Sequence, residues 1–535
     1  MAEAEPPSTL PDLFASIAAA RGPHDAVVTF DETVSYDELN RRSGRMARAL
    51  LAAGAGKGTR IALLAPDGIF WVTSFLAALR IGALLTTVST LCTPPELAHI
   101  LRNSDCQLLL GARRFLGHDY AATLEAALPG LSESRAGALR LAETPCLRSV
   151  WLDDAGELAW ERPVGELLAK ADAPDAPGDA LLAEAEREVT PADDAIIVYT
   201  SGSTARPKAV VHRQWAIARH SPELARNFVM TGDARMMCLL PSFWLAGLST
   251  MMQVLSVGGT LVYPRSPEID DALDAIARFG VNRVNAWGDK QPKLIAAARE
   301  RGIDLAAIPE LSGFRDSSGN PLPPRIPMYG MTESFSAHSA WPLNIPVPDG
   351  KEEGFGIAIN GYERRVVDPE TGKELPPGEA GELQIRGPAM LSGLYKTHRR
   401  EVFTADGFYP TRDLVRIDGD GWLFPAGRLD DMIKTRGANV SRLEVEAALT
   451  ALPEVELAVV AGLPDEEFGK LVTAAVVPAQ GASPTEESLK SSLRGTLSSF
   501  KIPRRIAFIS EADIPRTATG KVRLSETAAM IAARL

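Results

Sequence analysis

The chain has 535 residues, 45% of them hydrophobic and 23% charged, which is enough for two to four domains with cores of their own. A net charge of -12 leaves no basic excess to displace counterions and excludes nonspecific nucleic-acid binding. The four cysteines form no CxxC pair, and no stretch reaches ~18 uninterrupted apolar residues, so zinc, dithiol-redox and membrane-spanning classes fall away.

The start, "MAEAEPPSTLPD", is acidic and proline-rich, without the basic residues and apolar run of a signal peptide. Four free thiols then fit a reducing compartment, and a cytoplasmic location is expected. "SYDELNRRSGRMARALLAAG" has helical periodicity and a stop at Gly54. "TRIALLA" reads as a buried strand, "GIFWVTSFLAALRIG" as a helix and "LLTTVS" as another strand. This alternation predicts an α/β fold with a parallel sheet covered on both faces. "AGAGKGTR" at 53–60 looks like a nucleotide loop, but Gly58 follows Lys57 where a Mg²⁺-binding hydroxyl should stand. It is better read as a helix stop before a strand. Residues 171–194 are rich in Ala, Pro and acids and read as a surface connection into the strand "AIIVYT". Without GxGxxG, HExxH or GxSxG, the dehydrogenase, zinc-protease and serine-hydrolase readings lack their carriers.

"YTSGSTARPKAV", Tyr199–Val210, follows that strand and is suited to phosphate. Ser201, Ser203 and Thr204 offer hydroxyls, Gly202 permits close approach, and Lys208 brings charge. Taken alone, the stretch is equally a polar loop. Four more stretches follow in order: "YGMTES" at 329–334, "FYPTRDL" at 408–414, "GRLDDMIKTRGANV" at 427–440 and "PRTATGKVR" at 515–523.

The ordered set of five resembles the adenylate-forming (AMP-binding) superfamily, in its acyl-CoA synthetase branch, over nearly the whole chain. The resemblance implies a large N-terminal domain of α/β subdomains, residues 1–429, and a small mobile α+β domain, residues 430–535, hinged at Asp430. It implies two half-reactions in one site. A carboxylate attacks the α-phosphate of ATP to give acyl-AMP, then the small domain rotates and the thiol of coenzyme A displaces AMP. Carried onto this sequence, Tyr329 faces adenine, and Thr332 bonds the α-phosphate. Glu333 holds Mg²⁺ through a hard oxygen. Asp413 and Arg428 take the ribose, and the turn at Gly319 and Asn320 lines the nucleotide. Lys521 serves adenylation and Lys434 the rotated state, while Gly437 and Ala438 line the pantetheine tunnel. Each lysine also has a plain reading as a solvated surface charge.

Five departures stand against the family pattern. Alanines occupy two glycine positions of the loop, Ala205 and Ala209, where a positive φ would cost ~1 kcal/mol and a methyl would meet the phosphates. After "SSGNPLPP", relatives spend a helix and a strand before the tyrosine. Here only Leu322 to Met328 remain, too few for the ~10–12 and ~5 residues these need. Trp244 in "PSFWLAGL" stands where histidine is common and suggests an apolar acyl pocket, although a core tryptophan fits as well. Arg412 replaces a glycine before Asp413, and Arg442 a proline.

Four of the five departures surround the phosphates, adenine and acyl group, whereas Asp430, Lys434 and Gly437 match. The expectation is therefore an acyl-CoA ligase for a bulky hydrophobic acid whose adenylation step is weakened or lost. Such an enzyme would use acyl-AMP and coenzyme A, with ATP and Mg²⁺ only if adenylation is retained. In this it resembles the non-adenylating ligases of platensimycin-type diterpenoid antibiotic pathways, and a separate adenylating enzyme would be its partner. Lys521 argues the other way, since a second-step enzyme has no need of it. Two other readings compete: a complete ATP-dependent synthetase, and a catalytically silent AMP- or acyl-binding protein. A carrier-loading adenylation domain is disfavoured, because no aspartate for an α-amino group lies near "FWLAG". A homodimer is the default assembly.

Overall fold

The computed structural model describes residues 6–154, 156–200, 207–286, 290–315, 318–322, 326–429, 432–435, 438–465, 468–494, 496–497, 501–516 and 522–535. The chain divides into two compact units. One comprises residues 1–364, 385–409 and 421–423, and the other 365–384, 410–420 and 424–535. Both are mixed α/β, and the second is α+β.

The predicted alternation holds at the N-terminus. Ser35 accepts the Glu38 N–H at 3.2 Å and starts the helix Tyr36–Ala52, whose buried stripe includes Leu39, Met46 and Leu50. Gly54, at φ +83°, turns the chain out of it. The strand Arg60–Leu64, the helix Ile69–Arg80 and the strand Leu84–Thr87 follow. "AGAGKGTR" is indeed a connection. Lys57 pairs with Asp193 at 2.8 Å and donates to the Glu188 carbonyl at 2.6 Å, so its charge is used structurally.

Eight strands make the larger sheet, in the order 393–394, 208–213, 194–200, 84–87, 60–64, 108–111, 149–152, 161–163. The last six run parallel, with Ile196 opposite Leu85 and Ile61 opposite Leu108. The first two break the expected pattern. Lys208–Arg213 pairs antiparallel with Asp194–Thr200, and Gly393–Leu394 antiparallel with it in turn. Residues 201–207 therefore join a hairpin within one sheet. A second sheet of five strands carries Arg235–Cys238, Thr260–Val262 and Asp25–Val28 side by side in parallel.

The stretch 171–194 is not only a surface connection, because Asp179–Arg187 is a helix. It buries a single apolar residue, Leu182, and is held by the ion pairs Arg80–Glu186 and Arg48–Asp179. One buried leucine leaves too weak a periodicity to be read in a segment of alanines and acids.

The second unit includes a three-stranded sheet of Val455–Asp465, Gly469–Pro478 and Arg505–Phe508. Apolar clusters cover both its faces, one reaching Leu449 and Leu489, the other Ile514 and Ile531. Arg442, in the place of a common proline, is the first residue of the helix Arg442–Thr450 and pairs with Glu446 at 2.6 Å. Ser441 caps that helix, so the start is secured without proline.

Candidate active site

The hairpin strand Lys208–Arg213 anchors one side of the site. Thr200 faces Lys208 and Tyr199 faces Ala209, and the Tyr199 hydroxyl donates to Asn103 Oδ1 at 2.7 Å. Ser201, Ser203, Thr204 and Ala205 lie outside the described residues. The expectation for Ala209 is overturned. It is a ladder residue without positive φ, and its methyl is buried with Leu84, Ile197 and Val211. A methyl in that cluster adds apolar packing.

Further along the strand that Lys208 begins, the chain ties itself to the tyrosine turn. His212 Nε2 lies 2.7 Å from the Thr332 carbonyl oxygen. The Leu391 N–H donates to the Glu333 carbonyl at 2.8 Å and the Ser392 N–H to the Val211 carbonyl at 2.8 Å. Lys208, Thr332 and Glu333 thus belong to one bonded framework. Tyr329 sits in the strand Met328–Met331, opposite Ser339, with its ring edge-on to His338 and Phe355 at 5.7 and 5.5 Å. Gly330 is required there, because a Cβ would fall 2.2 Å from the Ser336 carbonyl oxygen. Thr332–Ser334 is a short 3-10 turn braced by a Met331 N–H to Ser334 Oγ bond of 3.2 Å.

Glu333 is 9% exposed and accepts the Tyr409 hydroxyl at 3.0 Å on Oε1. Its second oxygen suits Mg²⁺, which binds through one or two carboxylates and takes its other ligands from substrate phosphates and water. No cluster of three or more His, Cys, Asp or Glu capable of holding a metal occurs among the described residues. The donor set therefore fits a metal brought by a polyphosphate rather than one caged by protein.

Gly319 adopts φ +84°, and its carbonyl accepts from Arg315 Nη1 at 2.9 Å, which presents Gly319 and Asn320 on an exposed turn. Between Leu322 and the strand starting at Met328, no helix forms among the described residues. Trp244 is half-buried, just before the helix Leu245–Ser256, with its ring edge-on to Phe243 at 5.3 Å.

In the second unit, Asp413 and Arg428 meet on strands of a four-stranded sheet. Arg428 Nε lies 3.1 Å from Asp413 Oδ1, and Asp413 is buried. Arg412 holds the left-handed φ of +63° where a glycine is common, and its N–H donates to Glu382 Oε1 at 3.1 Å. Lys434 and Ala438 lie on the antiparallel strands Met432–Thr435 and Ala438–Ser441, where Lys434 faces Asn439. Asp430, Gly437 and Lys521 lie outside the described residues.

Three buried histidines escaped the sequence reading. Besides His212, His220 Nε2 lies 2.9 Å from the Ala337 carbonyl oxygen, and His338 Nδ1 lies 2.9 Å from Ser339 Oγ. Burial pushes their pKa values down to about 4, about 4 and about 3. Lone histidines in buried strands, as His212 and His338, or on a buried helix face, as His220, carry no local signal. Only the fold brings them behind the tyrosine turn.

The AMP-binding enzyme family profile matches residues 14–395, and the AMP-binding enzyme C-terminal domain matches residues 444–521. A probable CoA ligase of Humulus lupulus is 28% identical over 536 residues, covering 95% of this chain and 88% of that protein. A feruloyl-CoA synthase of Amycolatopsis sp is 28% identical over 523 residues, covering 95% and 96%. Among solved structures, ATP-bound MatB of Rhodopseudomonas palustris aligns with a TM-score of 0.72 at 25% identity, covering 97% of this chain and 98% of that one. The anthranilate CoA ligase AuaEII with anthranoyl-AMP aligns with a TM-score of 0.75 at 23% identity, covering 98% of each.

Proposed function

The chain belongs to the AMP-binding enzyme family, in its acyl-CoA ligase branch, and from that premise we propose that it makes the coenzyme A thioester of a bulky hydrophobic carboxylic acid through an acyl-adenylate, with the adenylation half-reaction weakened. In the retained step the thiol sulfur of coenzyme A bonds to the acyl carbon. The acyl–oxygen bond to AMP breaks, AMP leaves with the electron pair, and the thiol proton passes to solvent. Thr332, Asp413 and Arg428 hold the AMP portion, and Lys434 supports the displaced oxygen in the rotated state. Glu333 would hold the Mg²⁺ that comes with a polyphosphate, and the ion would supply charge neutralisation there.

The observation that carries the weakened first step is the seven-residue span from Leu322 to Met328. It leaves no room for the helix and strand that stand before the tyrosine in relatives, so the wall between adenine and acyl group must be rebuilt or open. A second reading, a complete ATP-dependent synthetase, draws support from Ala209, whose methyl is buried in the ladder against Leu84, Ile197 and Val211.

The test is thioester formation followed by mass spectrometry from two inputs: bulky acids with Mg-ATP and coenzyme A, and the matching preformed acyl-adenylates with coenzyme A alone. Product from the adenylates alone is the expected result. Product from both inputs at comparable rates establishes the second reading, and product from neither rejects both.

A further inference from the structure

Trp244 lies on a stretch with no regular structure of its own, between the strand Arg235–Cys238 and the helix Leu245–Ser256. Side chains from two distant segments grip its backbone. Asp67, in the turn after the strand Arg60–Leu64, accepts the Ser242 N–H at 2.9 Å on Oδ1. Thr87, the last residue of the strand Leu84–Thr87, is buried and donates to the Phe243 carbonyl at 3.1 Å. The first turn of the following helix presses on the same stretch. A Cβ at Gly247 would lie 2.3 Å from the Pro241 carbonyl oxygen and 2.4 Å from that of Leu240.

Asp67 is an unusual choice of anchor. Burial pushes its carboxyl up to about 6, and the bonds from Ser242 only partly offset that. No cation pairs with it among the described residues. A carboxyl desolvated without a countercharge is costly and contributes little to stability by itself. Its benefit is geometric, since it holds one backbone N–H at the base of the tryptophan.

We propose that Asp67 and Thr87 are positioning residues for acyl selectivity: together they fix the Ser242–Phe243 backbone and so set how far the Trp244 indole reaches into the acyl site. The inference rests on the reading of Trp244 as a wall of that site in an acyl-CoA ligase. Losing either anchor frees the tryptophan, which then discriminates less between bulky and small acyl groups. The AMP portion of the site is untouched.

The experiment measures kcat and KM for thioester formation from two preformed acyl-adenylates, one polycyclic and one benzoyl, in the full-length wild type and in D67A, D67N and T87V. AMP affinity by calorimetry serves as the control. A lost anchor is expected to shrink the ratio of kcat/KM between the two substrates about 10-fold, mostly through KM, with AMP affinity unchanged. D67N keeps an oxygen acceptor and restores the wild-type ratio. T87V removes only the hydroxyl and carries the test if D67A does not fold. Equal loss on both substrates, with the ratio unchanged in D67A and T87V, reduces both residues to structural roles and overturns the inference alone. A wild type that converts neither adenylate overturns the ligase reading and the inference with it.

Discussion

His212 Nε2 sits 2.7 Å from the carbonyl oxygen of Thr332, and this bond fixes the tautomer of a ring that is wholly buried. A carbonyl only accepts, so Nε2 carries the hydrogen, and Nδ1 is left as a buried acceptor without a partner among the described residues. The ring packs edge-on to Phe335 at 5.2 Å. His212→Ala therefore opens a cavity and removes one of the two hydrogen bonds to the Thr332 carbonyl, the other coming from the Phe335 N–H at 3.2 Å. The expected cost is about 2–4 kcal/mol of stability, read by denaturant unfolding. A fall in kcat/KM with AMP-bearing substrates accompanies it, because Thr332 loses its support.

Acid should destabilise the first unit early. His212, His220 and His338 are neutral when folded, with pKa values held near 4, 4 and 3, below the unfolded value of about 6.5. In the window between, the unfolded chain binds more protons. The stabilisation is complete above about 6.5 and drains away as pH falls towards 4. Asp67 acts in the opposite sense, since its raised pKa lets the folded state take up a proton first below about 6. Three histidines outweigh one carboxyl, and a net loss on the order of a few kcal/mol is expected between pH 7 and 5. Melting temperatures at the two pH values measure it, and an unchanged melting temperature refutes the balance.

Arg412→Gly should raise stability. A non-glycine residue in the left-handed region costs about 1–2 kcal/mol, and glycine returns part of that through its greater freedom when unfolded. The net gain is about 0.5–1 kcal/mol, seen as a higher melting temperature. The backbone N–H to Glu382 is kept, so AMP affinity should hold.

Asp413 is expected to take both ribose hydroxyls, so Asp413→Ala should weaken AMP binding about 100-fold, as loss of two charge-assisted hydrogen bonds does. Asp413→Asn retains one good acceptor and should fall between. Calorimetric AMP titration separates the three proteins.

The two lysines should divide the reaction. Lys434→Ala slows thioester formation from preformed acyl-adenylate about 10²–10³-fold, in line with loss of a transition-state donor. Lys521→Ala leaves that rate within about twofold and affects only ATP-dependent product. The reverse pattern would exchange the roles assigned to them.

The helix Tyr36–Ala52 was legible from its buried stripe, and the strands Arg60–Leu64 and Leu84–Thr87 with the helix Ile69–Arg80 between them from near-continuous apolar runs. The five motifs were legible because each packs several chemical groups into a short stretch. The helix Asp179–Arg187 was not, since its stability comes from Arg48 and Arg80, more than ninety residues away in sequence. Ala209 was misjudged for a related reason. A glycine position beside a phosphate loop looks like part of the loop, and only the ladder opposite Tyr199 reveals it as a strand residue. His212 and Asp67 were invisible because their partners, Thr332 and Ser242, are brought to them by folding alone.

The hairpin formed by Asp194–Thr200 and Lys208–Arg213 pairs its two strands on either side of the intervening segment. Residues 201–207 are tethered at both ends by one ladder, which is closed at Thr200 and Lys208 and flanked by Leu84 to Thr87 on one side and Gly393 to Leu394 on the other. The pairs that make the ladder lie between Asp194–Thr200 and Lys208–Arg213. On the proposed reading, substitutions between the two strands would tune or surrender the handling of triphosphate while the ladder on either side is kept. In such an architecture a half-reaction can be lost by drift while the scaffold for the other half is inherited intact.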